Sequence, residues 1–215
     1  MKEFTRKYFE LLNNEYKGIN LTRINDYSEF ELKQIKDSVA PTEQSEVFKN
    51  SIIKNMLVVD VGFGGGFPVL PLAFTYKEVK FIGVETRAKK VKVVGEISNK
   101  LGIKNVNLVH TRIENILIDL PCTITLKAVG KVADFLSKIN ANQQVQVFFY
   151  KGPNFYSLEK EQIDLALEGW DIIEEIEINL PGVDKRYLIG FQNKNLLSKS
   201  TNKQLKNLVK LSDLT

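Results

Sequence analysis

Five short apolar runs, set apart by helical stretches and loops, leave this chain few ways to fold. They are Met56–Val61, Val79–Val84, Asn105–Val109, Thr123–Val129 and Val145–Tyr150. The first, ending at Gly62, has the look of a strand buried on both faces; Val79–Val84 is the next apolar strand, and the later runs repeat the strand pattern. One helical pattern opens at Pro68, and another runs from Ala88 to Leu101 with Gly102 as its stop. Two more cover Lys131–Ile139 and Leu158–Leu167. Crossovers of this length join parallel strands. Two last runs, Trp170–Ile178 and Arg186–Phe191, meet across Pro181-Gly182 with no helix between, and read as an antiparallel hairpin at one edge. The expected fold is α/β: a Rossmann-like, seven-stranded, mostly parallel sheet with helices on both faces.

Residues 1–55 read as an N-terminal helical extension. Phe4, Tyr8, Leu11, Leu12 and Tyr16 recur at three- and four-residue spacing, an amphipathic helix that Gly18 stops. Ile19-Asn20-Leu21-Thr22 follows as a connector, and a second helical stretch, Ser28–Asp37, carries Phe30 and Ile35 as apolar anchors. Pro41 and the polar run Thr42–Ser45 read as a loop. Residues 56–193 form the main domain, and 194–215 a basic tail rich in Lys and Asn. In that tail Leu205, Leu208, Val209 and Leu211 suggest a short helical stripe.

Composition removes several chemistries. Cys122 and His110 are the only cysteine and the only histidine, which excludes an intrachain disulfide and a Cys/His metal cluster. His110 ends a strand-like run and reads as structural, Cys122 as a small filler. No apolar run approaches the roughly eighteen residues of a membrane span, and the N-terminus interleaves acids with bases rather than building an apolar leader. A cytoplasmic protein is expected. The net charge of +4 permits a nucleic-acid partner without requiring one.

The chemistry begins at Asp60-Val61-Gly62-Phe63-Gly64-Gly65-Gly66-Phe67-Pro68. A buried strand that runs through a glycine-rich turn into a helix is where an open parallel sheet meets a nucleotide-like ligand. A dinucleotide fingerprint would place its third glycine at 67, where this chain has Phe67. The glycines present, Gly62, Gly64 and Gly66, have a G-x-G-x-G spacing that resembles the first motif of class I S-adenosylmethionine-dependent methyltransferases. Glu85 follows nineteen residues after Gly66, at the end of the second strand. A carboxylate there can accept from both ribose hydroxyls at once.

Further stretches resemble one family. Tyr16-Lys17-Gly18-Ile19-Asn20-Leu21-Thr22, Lys36-Asp37-Ser38, the glycine loop through Pro68, Val109-His110-Thr111-Arg112-Ile113-Glu114, Lys151-Gly152 and Leu180-Pro181-Gly182 are similar to the glucose-inhibited division protein B family. The resemblance spans about residues 5 to 195. It implies a bacterial methyltransferase acting on N7 of a guanine in small-subunit ribosomal RNA, with S-adenosylmethionine as cofactor. It also implies cofactor contacts at Gly62, at Phe67 before the proline, and at Ile113 and Glu114 beside the adenine. A basic residue after the fourth strand completes that set. Here it is Lys127, where the family carries an arginine; lysine keeps the charge without the planar fork.

N7 of guanine has a lone pair and no proton, so methyl transfer to it needs no general base, and no catalytic acid–base residue is expected. Phe63, Phe67 and Tyr150 are the aromatic side chains placed to stack on a base, against the commoner role of core. Phosphate contacts would come from Arg6, Lys7, Lys17, Arg23, Lys36, Lys127, Lys131, Lys151 and the pair Lys185-Arg186. The expected partner is small-subunit RNA or the assembled subunit, met by a monomer. Two rival readings stand beside this one: a methyltransferase with another acceptor, and a non-catalytic RNA- or ribosome-binding protein that keeps only the cofactor fold.

Overall fold

The computed structural model describes residues 1–194 and 207–215. Its first layer is helical. α1 (Lys2–Glu10) continues through a π-helical turn to Glu15 and buries Phe4, Tyr8 and Leu12. The chain then turns through Lys17–Ile19 and leaves by Asn20, which is left-handed at φ 54°. α2 (Tyr27–Phe30) is capped by Asp26, whose carboxylate accepts the Glu29 N–H at 2.8 Å. It runs on through Glu31–Lys36 into α3 (Asp37–Gln44).

Pro41, expected in a loop, lies inside α3. Burial outweighs the missing N–H: Val39, Ala40, Pro41 and Thr42 are all buried, and the Thr42 hydroxyl donates to the Val39 carbonyl at 2.8 Å. The break comes at Ser45, whose extended backbone and side-chain oxygen start α4 (Glu46–Asn55) by accepting the Phe48 N–H at 3.0 Å.

From there the chain alternates. β1 (Leu57–Val61), α5 (Val69–Thr75), β2 (Lys80–Glu85), α6 (Ala88–Lys100) and β3 (Val106–His110) come first. β4 (Ile116–Ile118), β5 (Cys122–Lys127), α7 (Val132–Leu136), β6 (Asn140–Ala141) and β7 (Val145–Lys151) follow. α8 (Phe155–Ala166), β8 (Trp170–Ile178), β9 (Arg186–Asn193) and β10 (Val209–Lys210) complete it. The main sheet has seven strands in the order β3-β2-β1-β5-β7-β9-β8. All pairings are parallel except those of β9, which runs antiparallel between β7 and β8. Every residue of β1 is buried, its four apolar side chains and Asp60 alike. The order reverses between β1 and β5, so the crevice beyond their carboxyl ends is the ligand site of this topology.

α7 is shorter than its sequence pattern and α8 starts earlier, at Phe155. One acid accounts for the start of α7: Glu159 accepts the Val132 N–H at 2.8 Å. A second, three-stranded sheet, β10-β4-β6, has no counterpart in the sequence expectation. Leu205 lies outside the described residues, but the rest of the expected helical stripe does not form a helix along its length. Val209 and Lys210 pair with Ile116 and Leu117, and Leu211 is fully buried. Ser212 then fastens to the Asp119 carboxylate through its N–H at 2.9 Å and its hydroxyl at 2.7 Å. An open strand edge on β4 is a better partner for this segment than solvent.

Two apolar clusters fill the spaces on either side of the sheet. One joins α1, α2 and α4 to α5 and α6 through Phe4, Tyr8, Phe30, Phe48, Leu70 and Val94. The helical extension and the sheet therefore share one core.

Candidate active site

The crevice starts at the bend after β1. Gly62, Gly64 and Gly66 have φ of 73°, 56° and 96°, a conformation that side chains with a Cβ rarely adopt. Two N–H groups, of Gly66 and Phe67, converge on the Phe63 carbonyl at 2.7 and 3.0 Å and close the turn before α5. Below the bend Asp60 is buried. Its Oδ1 accepts the Thr125 hydroxyl at 2.8 Å, while Oδ2 has no hydrogen-bond partner among the described residues.

Burial pushes the Asp60 carboxyl up from 3.8 to about 7, offset in part by the Thr125 hydrogen bond. The sign follows directly. An unfolded chain releases this proton near pH 3.8, the folded one near 7, so between those values the folded state alone still binds it. Stability from this group therefore falls as pH rises through that window and is level above it. Asp60→Asn should gain on the wild type between pH about 4 and about 8, because contributions of other carboxylates cancel in the difference. Urea midpoints of both proteins at the two ends measure this, and a difference that ignores pH contradicts it.

Glu85, at the end of β2, faces the bend. Its carboxylate accepts the Gly64 N–H at 3.1 Å, the Thr86 N–H at 2.8 Å and the Arg87 N–H at 3.1 Å. Those bonds orient an acid that is only 6% exposed. Beside it opens a cleft of about 370 Å³ whose lining includes Gly62, Glu85, Ile113 and Glu114. Four sequence-predicted residues thus meet in one cavity. Gly64 joins them through Glu85. Ile113 and Glu114 arrive on a single 3-10 turn after β3, where Asn140 donates to the Glu114 carbonyl at 2.9 Å.

Other predicted residues go elsewhere. Phe67 is buried and stacks on Tyr8 with ring centroids 5.0 Å apart. Phe63 is core as well, and Tyr150 is buried with its hydroxyl donating to the Ser38 carbonyl at 3.0 Å. Lys127 does not line the cleft. Its side chain is 12% exposed and its ammonium sits 2.9 Å from Asp37 Oδ2, while Arg186 Nε donates to Oδ1 of the same carboxylate at 3.2 Å. A cation this shielded needs an anion beside it, and α3 supplies one. Lys151 is likewise locked, 2.8 Å from Glu159 with its ring neighbours Phe149 and Phe155 around it. Neither lysine is open to a phosphate. His110 ends β3 with Nε2 3.0 Å from the Thr86 carbonyl oxygen, a structural position.

The cleft also holds residues that the sequence reading passed over. Arg87, Lys90, Arg112 and Lys138 line it with Phe135, and the Lys138 ammonium lies 5.2 Å from the centre of the Phe135 ring. Arg87 and Arg112 were within reach of sequence reasoning, since each stands within two residues of a predicted site residue. Lys138 and Phe135 were not, because only the packing of α7 brings them here.

A family model described as GidB, rRNA small subunit methyltransferase G, matches residues 1–175. The ribosomal RNA small subunit methyltransferase G of Lactococcus lactis subsp. cremoris (strain SK11) is 29% identical over 204 residues, covering 90% of this chain and 83% of its own length. The protein of the same name from Lactobacillus helveticus is 31% identical over 201 residues, with 87% and 81% covered. Among solved structures, a 16S rRNA (adenine(1408)-N(1))-methyltransferase from Catenulisporales acidiphilia superposes with a TM-score of 0.52 at 16% identity, over 72% of this chain and 95% of that one, a likeness of fold. The match that runs through the helical extension, the glycine bend, Glu85 and the Ile113 turn places the chain in the GidB family of small-subunit rRNA methyltransferases.

Proposed function

We propose that this chain transfers a methyl group from S-adenosylmethionine to N7 of a guanine in 16S ribosomal RNA, working as a cytoplasmic monomer on the RNA or on the assembled 30S subunit. The observation that carries the reading is Glu85, held by the N–H groups of Gly64, Thr86 and Arg87 at the mouth of the glycine bend. The residues present suit the cofactor. A Cβ on Gly62 would lie 2.7 Å from Val129 Cγ1, so the bend is a cradle that any side chain there would crowd. Val61, Val84, Ile113, Val129 and Phe135 offer apolar walls for a purine. Gly62, Gly64, Gly66 and Phe67 shape the bend, Glu85 takes the ribose hydroxyls, and Ile113 and Glu114 border the adenine. Lys127 supports the site from outside, through Asp37.

Bound there, the cofactor supplies an electrophilic methyl group on a sulfonium. With Glu85, Ile113 and Glu114 holding the adenosine portion, an N7 lone pair presented at the cleft mouth could take up that methyl group, the S–C electron pair remaining with the departing thioether. No proton moves, so the chain needs no general base; its task is orientation and exclusion of water. The cofactor itself is cationic, and a lining of Arg87, Lys90, Arg112 and Lys138 against Glu85 and Glu114 suits an anionic strand lying across the mouth. Arg6, Lys7, Lys17, Arg23, Lys36 and Lys131 are exposed and open to further phosphate contacts. Among the described residues no helix is long and apolar enough to cross a membrane.

Incubation with methyl-labelled cofactor and either protein-free 16S RNA or unmethylated 30S subunits should place label in 7-methylguanine after nuclease digestion. Label in another nucleoside contradicts the acceptor, and saturable cofactor binding with no RNA labelling contradicts the activity. Glu85→Gln keeps the shape and removes the charge; about tenfold weaker cofactor binding is expected from calorimetry.

A further inference from the structure

The back of the glycine bend is closed by the N-terminal helix. Tyr8, on α1 and fully buried, donates its hydroxyl proton to the Gly65 carbonyl. Its ring stacks on Phe67 at 5.0 Å and 20°, and Phe30 meets both rings edge-on at 5.8 Å. A Cβ on Gly66 would lie 2.3 Å from Tyr8 Oη, so the hydroxyl fills the volume that a side chain at 66 would need. The connector adds a second abutment: a Cβ on Gly65 would lie 2.5 Å from the Leu21 carbonyl oxygen. On the opposite side Glu85 accepts the Gly64 N–H at 3.1 Å. The consecutive glycines are gripped from front and back.

We propose that Tyr8 is a positioning residue for the methyl-donor site, acting through the 65–66 peptide. That peptide is planar, so a hydrogen bond to the Gly65 carbonyl also orients the Gly66 N–H. The Gly66 N–H in turn reaches the Phe63 carbonyl at 2.7 Å and sets the curvature of the bend. A tyrosine present only to fill space would contribute its ring, and phenylalanine would serve as well. The hydroxyl is the part that space-filling does not explain. Burial holds its pKa well above the ordinary tyrosine value, so it remains a donor across the working pH range. The inference rests on the reading of the bend as the cofactor site.

The test is Tyr8→Phe in the full chain, with S-adenosylmethionine as the probe. Calorimetric Kd and the KM for cofactor should each rise about tenfold, the loss of one buried hydrogen bond, while kcat at saturation and the KM for RNA stay unchanged. Amide exchange at Gly66 and Phe67 should quicken without any cofactor present. Phe48→Leu, which loosens the same core where Phe48 packs 4.6 Å from Phe148, serves as the stability control and should leave Kd unaltered. Wild-type Kd and exchange in Tyr8→Phe overturn the inference, as does an equal Kd shift in the control. A wild-type chain that fails to bind the cofactor overturns the donor-site reading instead. The exchange rates at Gly66 and Phe67 then still decide whether Tyr8 sets the bend.

Discussion

Asp37→Ala should lower the unfolding free energy by about 3 to 5 kcal/mol, the loss expected when buried cations are left without their anion. Asp37 is 8% exposed by its side chain and receives Lys127 at 2.9 Å and Arg186 at 3.2 Å. Lys127 also donates to the Lys33 carbonyl at 3.4 Å, which gives it no second negative charge to fall back on. The carboxylate ties three elements at once: α3, the end of β5 and the start of β9. Its removal should therefore loosen the helical layer from the sheet as well as destabilise the whole. Urea unfolding with an unchanged denaturant slope gives the number. Adding Lys127→Met to Asp37→Ala removes one of the stranded charges and should recover part of the loss. A single-variant loss below about 1 kcal/mol, the range of exposed pairs, would show that water reaches the cluster.

Gly65→Ala is expected to be comparably severe, at about 3 kcal/mol, for a steric reason. The new Cβ would meet the Leu21 carbonyl oxygen at 2.5 Å and its carbon at 3.2 Å. Backbone cannot rotate away as a side-chain tip can, so either the connector or the bend must move. Because the bend moves with it, cofactor affinity should fall beyond the effect on stability, measurable by calorimetry at a temperature where the variant is folded. Gly18→Ala is the matched control: nothing lies within 4 Å of a Cβ there, and its stability should stay within about 0.5 kcal/mol of wild type. Equal behaviour of the two variants would mean that the connector does not abut the bend in solution.

These two variants mark the boundary between what could be read from the chain and what could not. Leu21 and Gly65 are both in stretches that the sequence reading singled out, yet nothing along the chain says that they touch. The central strands β1, β2, β5 and β7 were legible because a strand buried on both faces is apolar at most consecutive positions, whereas β3 and β8, with exposed polar residues, were marked only by short apolar runs between helical stretches or turns. The glycine bend was legible because left-handed backbone selects glycine at each position that needs it. Glu85 followed from its spacing. The departures occur where a contact between distant segments outweighs a local preference. Pro41 stays helical because α3 is buried along that length. Val209 and Lys210 become strand because β4 offers an open edge.

The same distinction explains the fate of the lysines. A sequence carries the charge of Lys127 and Lys151 but not their distance from a carboxylate, and Asp37 lies ninety residues away from the first of them. Which cations remain free to meet RNA is decided by which ones the fold has already paired. Local chemistry by itself determined the strands and the bend, since each depends on residues within a few positions of one another, and the acid that faces the bend followed from its place at the end of the next strand. Tertiary packing alone decided the Lys138 and Phe135 wall of the cleft, the ion cluster around Asp37 and the tyrosine behind the bend. Those depend on the meeting of segments whose mutual distance is set only when the apolar core closes.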